Sequence, residues 1–595
     1  MPLAIRHRVT LVAPATHLVH VETLLADDAA PLPEVLVLFM AVWTPGSYLV
    51  REYARHVEGL SIEPPAGLEK IRKNAWRLST RGARRLVVRY GVYAGELTVR
   101  TNHADETHAF LVGAALFLGV EGQEDAGARV EIMAPSGWRV ATPLPAVASD
   151  DEGRSCFHAP NFDTLVDSPI EIGTFREEDV DILDTPHRLL FCPPLAITDA
   201  DVRRFVHDTR SIVETLARFF GGRLPYDRYL LLLHLSSLAR GGLEHRTSAA
   251  LIAAPTSFST RSGYLEVLSL VAHEMFHVWN VKRIRPAGLV PYRYDGECYT
   301  RLLWWFEGAT SYYDWRTLAL SRLCSVEEYL DHLSGEIAYL DQTPGRLLQS
   351  LEQASYDAWI KLYRPDENLA NTGVSYYRKG EVVCALLDIE LRTKTGGRVT
   401  LDAVLSRLWT DYGATERPLP EDELQHVFER MTGIPWDGVF DEWIRGTSEI
   451  DYGRTLARVG LGLTRSPRVD GPRASLGIRL RIDGPKAIVS SVVRGTGAWS
   501  AGLGSGDEII AIDGTRFEPA SLDAALGGHK PGDEVEVTLA RAGRIQNKAV
   551  MLEAPRADGV KLVALEEAPE AARAAFASWL GRAHPAWTTR PQAEP

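Results

Sequence analysis

The sequence predicts a multidomain α+β protein: an N-terminal antiparallel β domain, a mostly helical middle domain and a small C-terminal β domain. Three observations predict it. The chain has 595 residues, more than one hydrophobic core can organise. Its apolar period is two up to about residue 178, lengthens to a helical spacing over 179–452, and returns to short strands over 453–555. Turn-forming clusters, such as Pro45-Gly46 and Pro135-Ser-Gly137, punctuate the β regions. The expected domains are 1–178, 179–452 and 453–555, followed by a C-terminal helix and tail over 556–595.

Each element has a local reason. The segment His17-Leu-Val-His-Val-Glu-Thr alternates apolar and polar residues, as does Arg85–Tyr93, and Ala128–Met133 behaves alike; these are half-buried strands. The run Val35–Trp43 fits a buried strand. In the middle region, Ile212, Val213, Leu216, Phe219 and Phe220 recur at helical spacing, predicting a helix over Asp199–Phe220. Tyr229–Leu235 is nearly all leucine and reads as a strand buried on both faces. Further helices are expected at 266–281, from near Thr300, and at 325–341, 376–393 and 421–431. Toward the C-terminus, strands are expected at Ala487–Val493, Glu508–Thr515 and Glu534–Ala540. Short helices are expected at Ala498–Leu503, Ser521–Leu526 and Pro569–Leu580.

Composition narrows the function. The net charge of −13 leaves no basic surplus to neutralise phosphates, so neither a nucleic-acid nor a membrane partner is expected. No apolar run nears the roughly 18–20 residues that span a bilayer. The N-terminus shows no signal-peptide apolar region, and the five scattered cysteines (Cys156, Cys192, Cys298, Cys324, Cys384) read as reduced thiols, so a cytoplasmic location is expected.

The chemistry concentrates in Val271-Ala-His-Glu-Met-Phe-His-Val-Trp-Asn280. Residues four apart lie one above the other on a helix, so His273 and His277 can hold one metal ion. Glu274 then stands beside it as a general base for the attacking water. Zinc in hydrolases takes three protein ligands and keeps one position open. Three downstream acids compete for the third place. Asp295 and Glu297 sit in the polar, Gly-containing "YRYDGECY" and read as solvated loop. Glu307 sits in "LLWWFEGATSYYDW", apolar nearly all round, where an unpaired carboxylate would cost several kcal/mol. A metal satisfies it, and Glu307 is the expected third ligand of one zinc per chain.

"HEMFHVWNVKRIRP" followed by "LWWFEGATSYY" resembles the glycyl aminopeptidase family of zinc peptidases, distant relatives of aminopeptidase N. Gly241-Gly-Leu-Glu-His245 is similar to the Gly-x-Met-Glu-Asn loop of that wider group, and Tyr377-Arg-Lys-Gly380 to its Tyr-x-Lys-Gly segment. The N-terminal "WTPGSYLVREYARHV" extends the likeness. The resemblance implies a thermolysin-like catalytic domain. It implies that Glu244, with Gly241 and Gly242, binds the free N-terminus of a peptide substrate, and that Tyr377 donates to the oxyanion of the transition state. It also implies a preference for small N-terminal residues, Gly or Ala. Two departures stand out. The position nineteen residues past His277, where aminopeptidase N carries its third ligand, is Gly296, so Glu307 requires an insertion. Leu243 and His245 replace the loop methionine and asparagine.

Ala498-Trp-Ser-Ala-Gly-Leu-Gly-Ser-Gly-Asp-Glu-Ile-Ile-Ala-Ile-Asp-Gly514 resembles a signature run of bacterial PDZ domains, with Ala474–Leu480 as the carboxylate-binding loop and its strand. That resemblance implies capture of a peptide C-terminus, or a purely architectural module. Two other functions remain open at this stage: a zinc endopeptidase fed by the PDZ-like domain, and a non-catalytic binding protein with a structural metal site. Glu274 argues against the second, because a structural site needs no base.

Overall fold

Leu18–Ala26 and Arg85–Tyr93 bury alternate residues along most of their length, so each has one apolar face that must be paired and covered. The computed structural model describes residues 3–585 other than 28, 66, 150–153, 467–473, 519–521 and 558. It divides into two units, one of residues 1–300, 313–323 and 405–421, the other of 301–312, 324–404 and 422–595.

In the first unit, a six-stranded sheet runs in the order Ser155–Ala159, Ala128–Met133, Ala4–Thr10, Leu18–Ala26, Arg85–Tyr93, Val57–Glu63. Its pairs are antiparallel except Ala4–Thr10 against Ala128–Met133, which run parallel. Two four-stranded sheets pack with it. A further five-stranded sheet has the order Arg176–Ile182, Thr185–Cys192, Tyr229–Leu235, Ser248–Ala253, Gly241–Glu244. The leucine-rich strand is central there, with a parallel neighbour on each side and every residue buried, as its unbroken apolar run predicts. Val9 and Val88 of the N-terminal strands share one apolar core with Leu190, Leu232, Leu243 and Ile252 of this sheet. The N-terminal β region is therefore built onto the sheet that carries the Gly-Gly-Leu-Glu strand.

Helix Asp199–Phe219 begins at a Thr198–Asp201 capping box. The helix carrying His273 spans Arg261–Phe276, where sequence spacing predicts 266–281. It starts earlier because Thr260 accepts a hydrogen bond from the Gly263 N–H. It stops earlier because the chain reverses: the Lys282 N–H bonds the His277 carbonyl and the Ile284 N–H bonds the Trp279 carbonyl. Val281 takes φ +116° at that reversal, a left-handed value that a β-branched residue rarely adopts.

The aromatic helix predicted from near Thr300 is two helices, Leu303–Phe306 of the second unit and Gly308–Leu320, broken at Glu307. Helices Val326–Asp341, Tyr376–Lys394 and Glu423–Thr432 match the expected segments closely. The C-terminal sheet has the order Ile478–Asp483, Lys486–Val492, Glu508–Ile512, Glu534–Arg541, Arg544–Met551, with its own apolar core. Asn371 ties it to the helical part: its Nδ2 donates to the Val492 carbonyl (2.8 Å) and its Oδ1 accepts from the Arg494 N–H (2.8 Å). The C-terminal helix Glu570–Leu580 is pinned by a buried relay, Trp579 Nε1 to Tyr312 Oη (2.8 Å) and Tyr312 Oη to Asp388 (2.7 Å). The short helices are Gly497–Ser500 and Leu522–Leu526; Ser521 and the tail beyond 585 lie outside the described residues. All five cysteines are buried thiols outside any disulfide. Among the described residues no helix is long and apolar enough to cross a membrane.

Candidate active site

The first unit orients both histidines. His273 lies in the last turn of its helix and His277 caps it; the ring centroids are 4.7 Å apart. His273 Nδ1 lies 3.1 Å from the Asp314 carboxylate, and His277 Nδ1 lies 2.9 Å from the Asn280 carbonyl. Both partners can only accept, so each Nδ1 carries the proton and each lone pair lies on Nε2. Metal-binding imidazoles are set up in this way, with the second nitrogen fixing tautomer and ring angle. The residues fit a metal on this observation. Val281 and the buried Lys282 and Arg283 give Asn280 its place: the Arg283 guanidinium donates to the Val278 and Pro225 carbonyls and holds the reversal shut.

Glu274 is buried beside the edge strand Gly241–Glu244. A Cβ on Gly242 would stand 2.0 Å from its Oε1, so only glycine lets the carboxylate lie there. Sequence comparison describes this segment as a loop; it runs as a strand, antiparallel to Ser248–Ala253. The Arg100 guanidinium from the N-terminal β region donates to the Gly242 carbonyl (3.0 Å), and Gly241 carries φ +148° beside it.

Glu244, Glu274 and His277 each present one ligand-type atom, all within 4.8 Å of one another. Glu244 is 3% exposed, and its Oε1 has no hydrogen-bond partner among the described residues. Behind it stands a turn of the N-terminal region, Thr44-Pro45-Gly46-Ser47, closed by the Ser47 N–H on the Thr44 carbonyl (3.1 Å). The Pro-Gly pair and φ +90° at Gly46 are those of a type II turn. A Cβ on Gly46 would meet both Glu244 oxygens, at 2.4 and 2.5 Å. The turn is docked by Trp43 Nε1 on the Arg293 carbonyl (2.7 Å) and by the Val42 N–H on the Tyr294 carbonyl (2.8 Å).

A charged network surrounds this floor. Burial opposes the charge on Lys282, but the Asp167 and Glu244 carboxylates more than reverse it and hold the ammonium well above its ordinary range. Its hydrogen bond goes to Asp167 (2.9 Å). Burial likewise opposes ionisation of Asp167; Lys282, His245 and the Arg246 N–H hold that carboxyl well below the usual range.

In the second unit, Glu307 and Tyr377 come together. Gly308 and Gly380 bring their helices into direct contact, since a Cβ on Gly308 would lie 2.5 Å from the Gly380 Cα. Tyr377 Oη lies 2.9 Å from Tyr363 Oη. Burial first, then the Glu307 carboxylate, Tyr363 and Tyr376, push the Tyr377 phenol well above its ordinary value, which keeps it a donor. Glu307 is 2% exposed and sits at the break between its two helices.

Gly46, Arg100, Asn280 and Asp314 are not among the residues that sequence reasoning selects. Asp314 is the one with a readable signal: like Glu307, it is an acid in a largely apolar, aromatic stretch. Gly46 is legible as a turn, though not as the backing of Glu244.

Paired imidazoles with protonated Nδ1 atoms, and a glutamate held between them and a glycine strand, define the class: a metallopeptidase of the H-E-x-x-H kind. Sequence profiles agree, with the Peptidase M61 N-terminal domain matching residues 6–174, the M61 glycyl aminopeptidase domain 266–383, and a PDZ domain 474–552. Residues 6–174 and 266–383 are thus similar to the two domains of M61 peptidases. The chain is similar to an aminopeptidase N family protein of Idiomarina loihiensis at 28% identity, over 97% of this chain and 100% of that one, with a TM-score of 0.90. More distant likenesses are to an M1 zinc metallopeptidase of Deinococcus radiodurans (13% identity, 76% of this chain, 96% of that one, TM-score 0.47) and to yeast LTA4 hydrolase (13%, 76%, 69%, 0.46). No curated protein sequence matches the chain.

Proposed function

We propose that the protein is a zinc-dependent aminopeptidase that removes small N-terminal residues, Gly or Ala, from peptides. The observation that carries this reading is Glu244: a buried carboxylate with one oxygen unpartnered among the described residues, within reach of Glu274 and closed behind by Gly46. A buried carboxylate needs a cation. Lys282 feels the Glu244 charge but gives its hydrogen bond to Asp167, so Glu244 Oε1 stays open to the substrate's α-ammonium. An acid at a fixed distance from the hydrolytic centre, with a wall behind it, admits one residue and no more.

His273, His277 and Glu307 would hold the metal. What supports Glu307 is its burial and its position directly before the helix Gly308–Leu320, whose Asp314 receives the His273 Nδ1–H. Zinc, when bound, supplies Lewis acidity to the scissile carbonyl and to the attacking water. Glu274 takes the proton from that water and delivers it to the leaving amine. Tyr377, kept protonated by its surroundings, donates to the developing oxyanion. Glu244 holds the ammonium, and the Gly241–Gly242 backbone lies along the substrate. The PDZ domain offers an edge strand, Ile478–Asp483, to a peptide C-terminus.

The test compares glycyl and alanyl anilides with N-acetylated and internally blocked peptides, with and without a chelator. Hydrolysis only of free-amine substrates, lost with the chelator and lost disproportionately in Glu244→Ala, is the expected result. Equal turnover of blocked peptides would replace the reading with an endopeptidase.

A further inference from the structure

A second cluster of ligand-type side chains lies in the first unit, on other strands. His103, Asp105 and His108 come from the hairpin of strands His103–Ala104 and His108–Leu111, written His103-Ala-Asp-Glu-Thr-His108. Glu171 comes from Ile170–Gly173, paired antiparallel with His108–Leu111. Register puts them on one face: His103 and Glu171 both stand opposite Phe110, and His108 stands opposite Gly173. From the five-stranded sheet, His234 of Tyr229–Leu235 meets them. His108 Nδ1 lies 2.8 Å from Glu171 Oε1, and His234 Nε2 lies 2.9 Å from Oε2. The ring centroids are 4.9 Å apart for His103 and His108, and 5.7 Å for His108 and His234. Two overlapping triads, His103/Asp105/His108 and His108/Glu171/His234, each bring three donor atoms within 4.8 Å of one another.

We propose that His108, Glu171 and His234 form a second zinc site, structural in role, with Asp105 and His103 at its solvent-facing side supplying the fourth ligand. Two imidazoles and a carboxylate are a zinc donor set. Ligands about 2.0–2.1 Å from a four-coordinate zinc stand roughly 3.3 Å from each other. The two nitrogen–oxygen separations need to lengthen by only about 0.5 Å to reach this. The inner residues are shut away, Glu171 at 0% and His234 at 1% exposure, whereas the His103 and Asp105 side chains reach solvent and mark a way in. A zinc ion here would tie the hairpin of the N-terminal β region to the central strand of the five-stranded sheet.

The test uses the full chain carrying His273→Ala and His277→Ala, loaded with zinc, desalted, and analysed for metal per chain. About one equivalent should remain, and adding His234→Gln should remove it while circular dichroism stays unchanged. A folded double variant without zinc, or one whose zinc survives His234→Gln, would overturn the proposal. Should a variant fail to fold, the chelator-stripped native chain is titrated with cobalt(II): two equivalents are expected, and saturation at one equivalent that already restores full hydrolysis refutes the second site. Failure of the catalytic reading is distinguishable, because His273→Ala/His277→Ala would then leave the metal content as in the native chain.

Discussion

Replacing Gly242 by alanine should separate activity from folding. The new Cβ would lie 2.0 Å from Glu274 Oε1, 2.4 Å from Cδ and 2.7 Å from Cγ. Ordinary contact begins near 3.4 Å, so the carboxylate must retreat by about 1.4 Å. The backbone at Gly242 is extended strand that alanine adopts without strain, and the atom in the way ends a flexible side chain. The fold therefore gives way cheaply. Catalysis does not, because a misplacement of about 1 Å costs on the order of 100-fold in rate, roughly 2.7 kcal/mol. We expect kcat on an alanyl anilide to fall about 100-fold, with KM within a few-fold, bound zinc unchanged and Tm shifted by no more than about 2 °C. Initial rates, metal analysis and a thermal melt on one preparation decide it. A folded, zinc-replete Gly242→Ala enzyme with kcat near that of the native chain would refute the role given to Glu274. A large fall in Tm would show instead that the contact is structural.

Gly46→Ala should act on the other carboxylate: it strains a left-handed backbone position and displaces Glu244, so KM for free-amine substrates should rise about tenfold or more, with little effect on the weak hydrolysis of N-acetylated ones. Asp314→Ala removes the acceptor of the His273 Nδ1–H and should weaken zinc binding about 10- to 100-fold, read by competition with a chromogenic chelator. Asp167→Asn strands the buried Lys282 ammonium and should destabilise the protein by about 3–5 kcal/mol at pH 7 in urea melts. The folded-state pKa of Asp167 is depressed, so this stabilisation is present above the ordinary carboxyl range and lost as pH falls below it. The gap between native and variant chains should accordingly narrow below about pH 4; a gap that stays constant into acid would refute the ion-pair account.

Elements with one strong periodic signal were legible in the sequence. The central strand Tyr229–Leu235 and the helix Tyr376–Lys394 follow from an unbroken apolar run and a long helical spacing. Sequence spacing misjudged the histidine helix because its ends are set by contacts that spacing does not record: a Thr260 cap, and a reversal held by Arg283 and a strained Val281. It also read the aromatic segment as one helix, since nothing in "LLWWFEGATSYY" except the lone glycine marks the break at Glu307. His273, Glu274 and His277 were readable because one motif holds all three. Asn280 was not, because it works on His277 through a single backbone hydrogen bond that leaves no pattern; Asp314 shows only as an acid in a largely apolar stretch, with nothing to tie it to His273.

The glycines argue the point most directly. Gly46, Gly242 and Gly380 lie in three different segments, and at each a methyl group would occupy space already taken: by Glu244, by Glu274, and by the backbone of Trp304 and Gly308. In each case the missing side chain is what lets an acidic or phenolic group of the proposed mechanism come close to something it must touch. Gly46 has a further consequence. It belongs to the N-terminal β region, far in sequence from the H-E-x-x-H motif, yet its turn backs the carboxylate proposed to count off one residue. Removing that turn should therefore relax exopeptidase selectivity toward longer, internally cleaved peptides while leaving the histidines and Glu274 in place. The N-terminal domain would on this account be part of the specificity of the enzyme, and a Gly46 variant that kept strict N-terminal cleavage despite a displaced Glu244 would show that the ruler lies elsewhere.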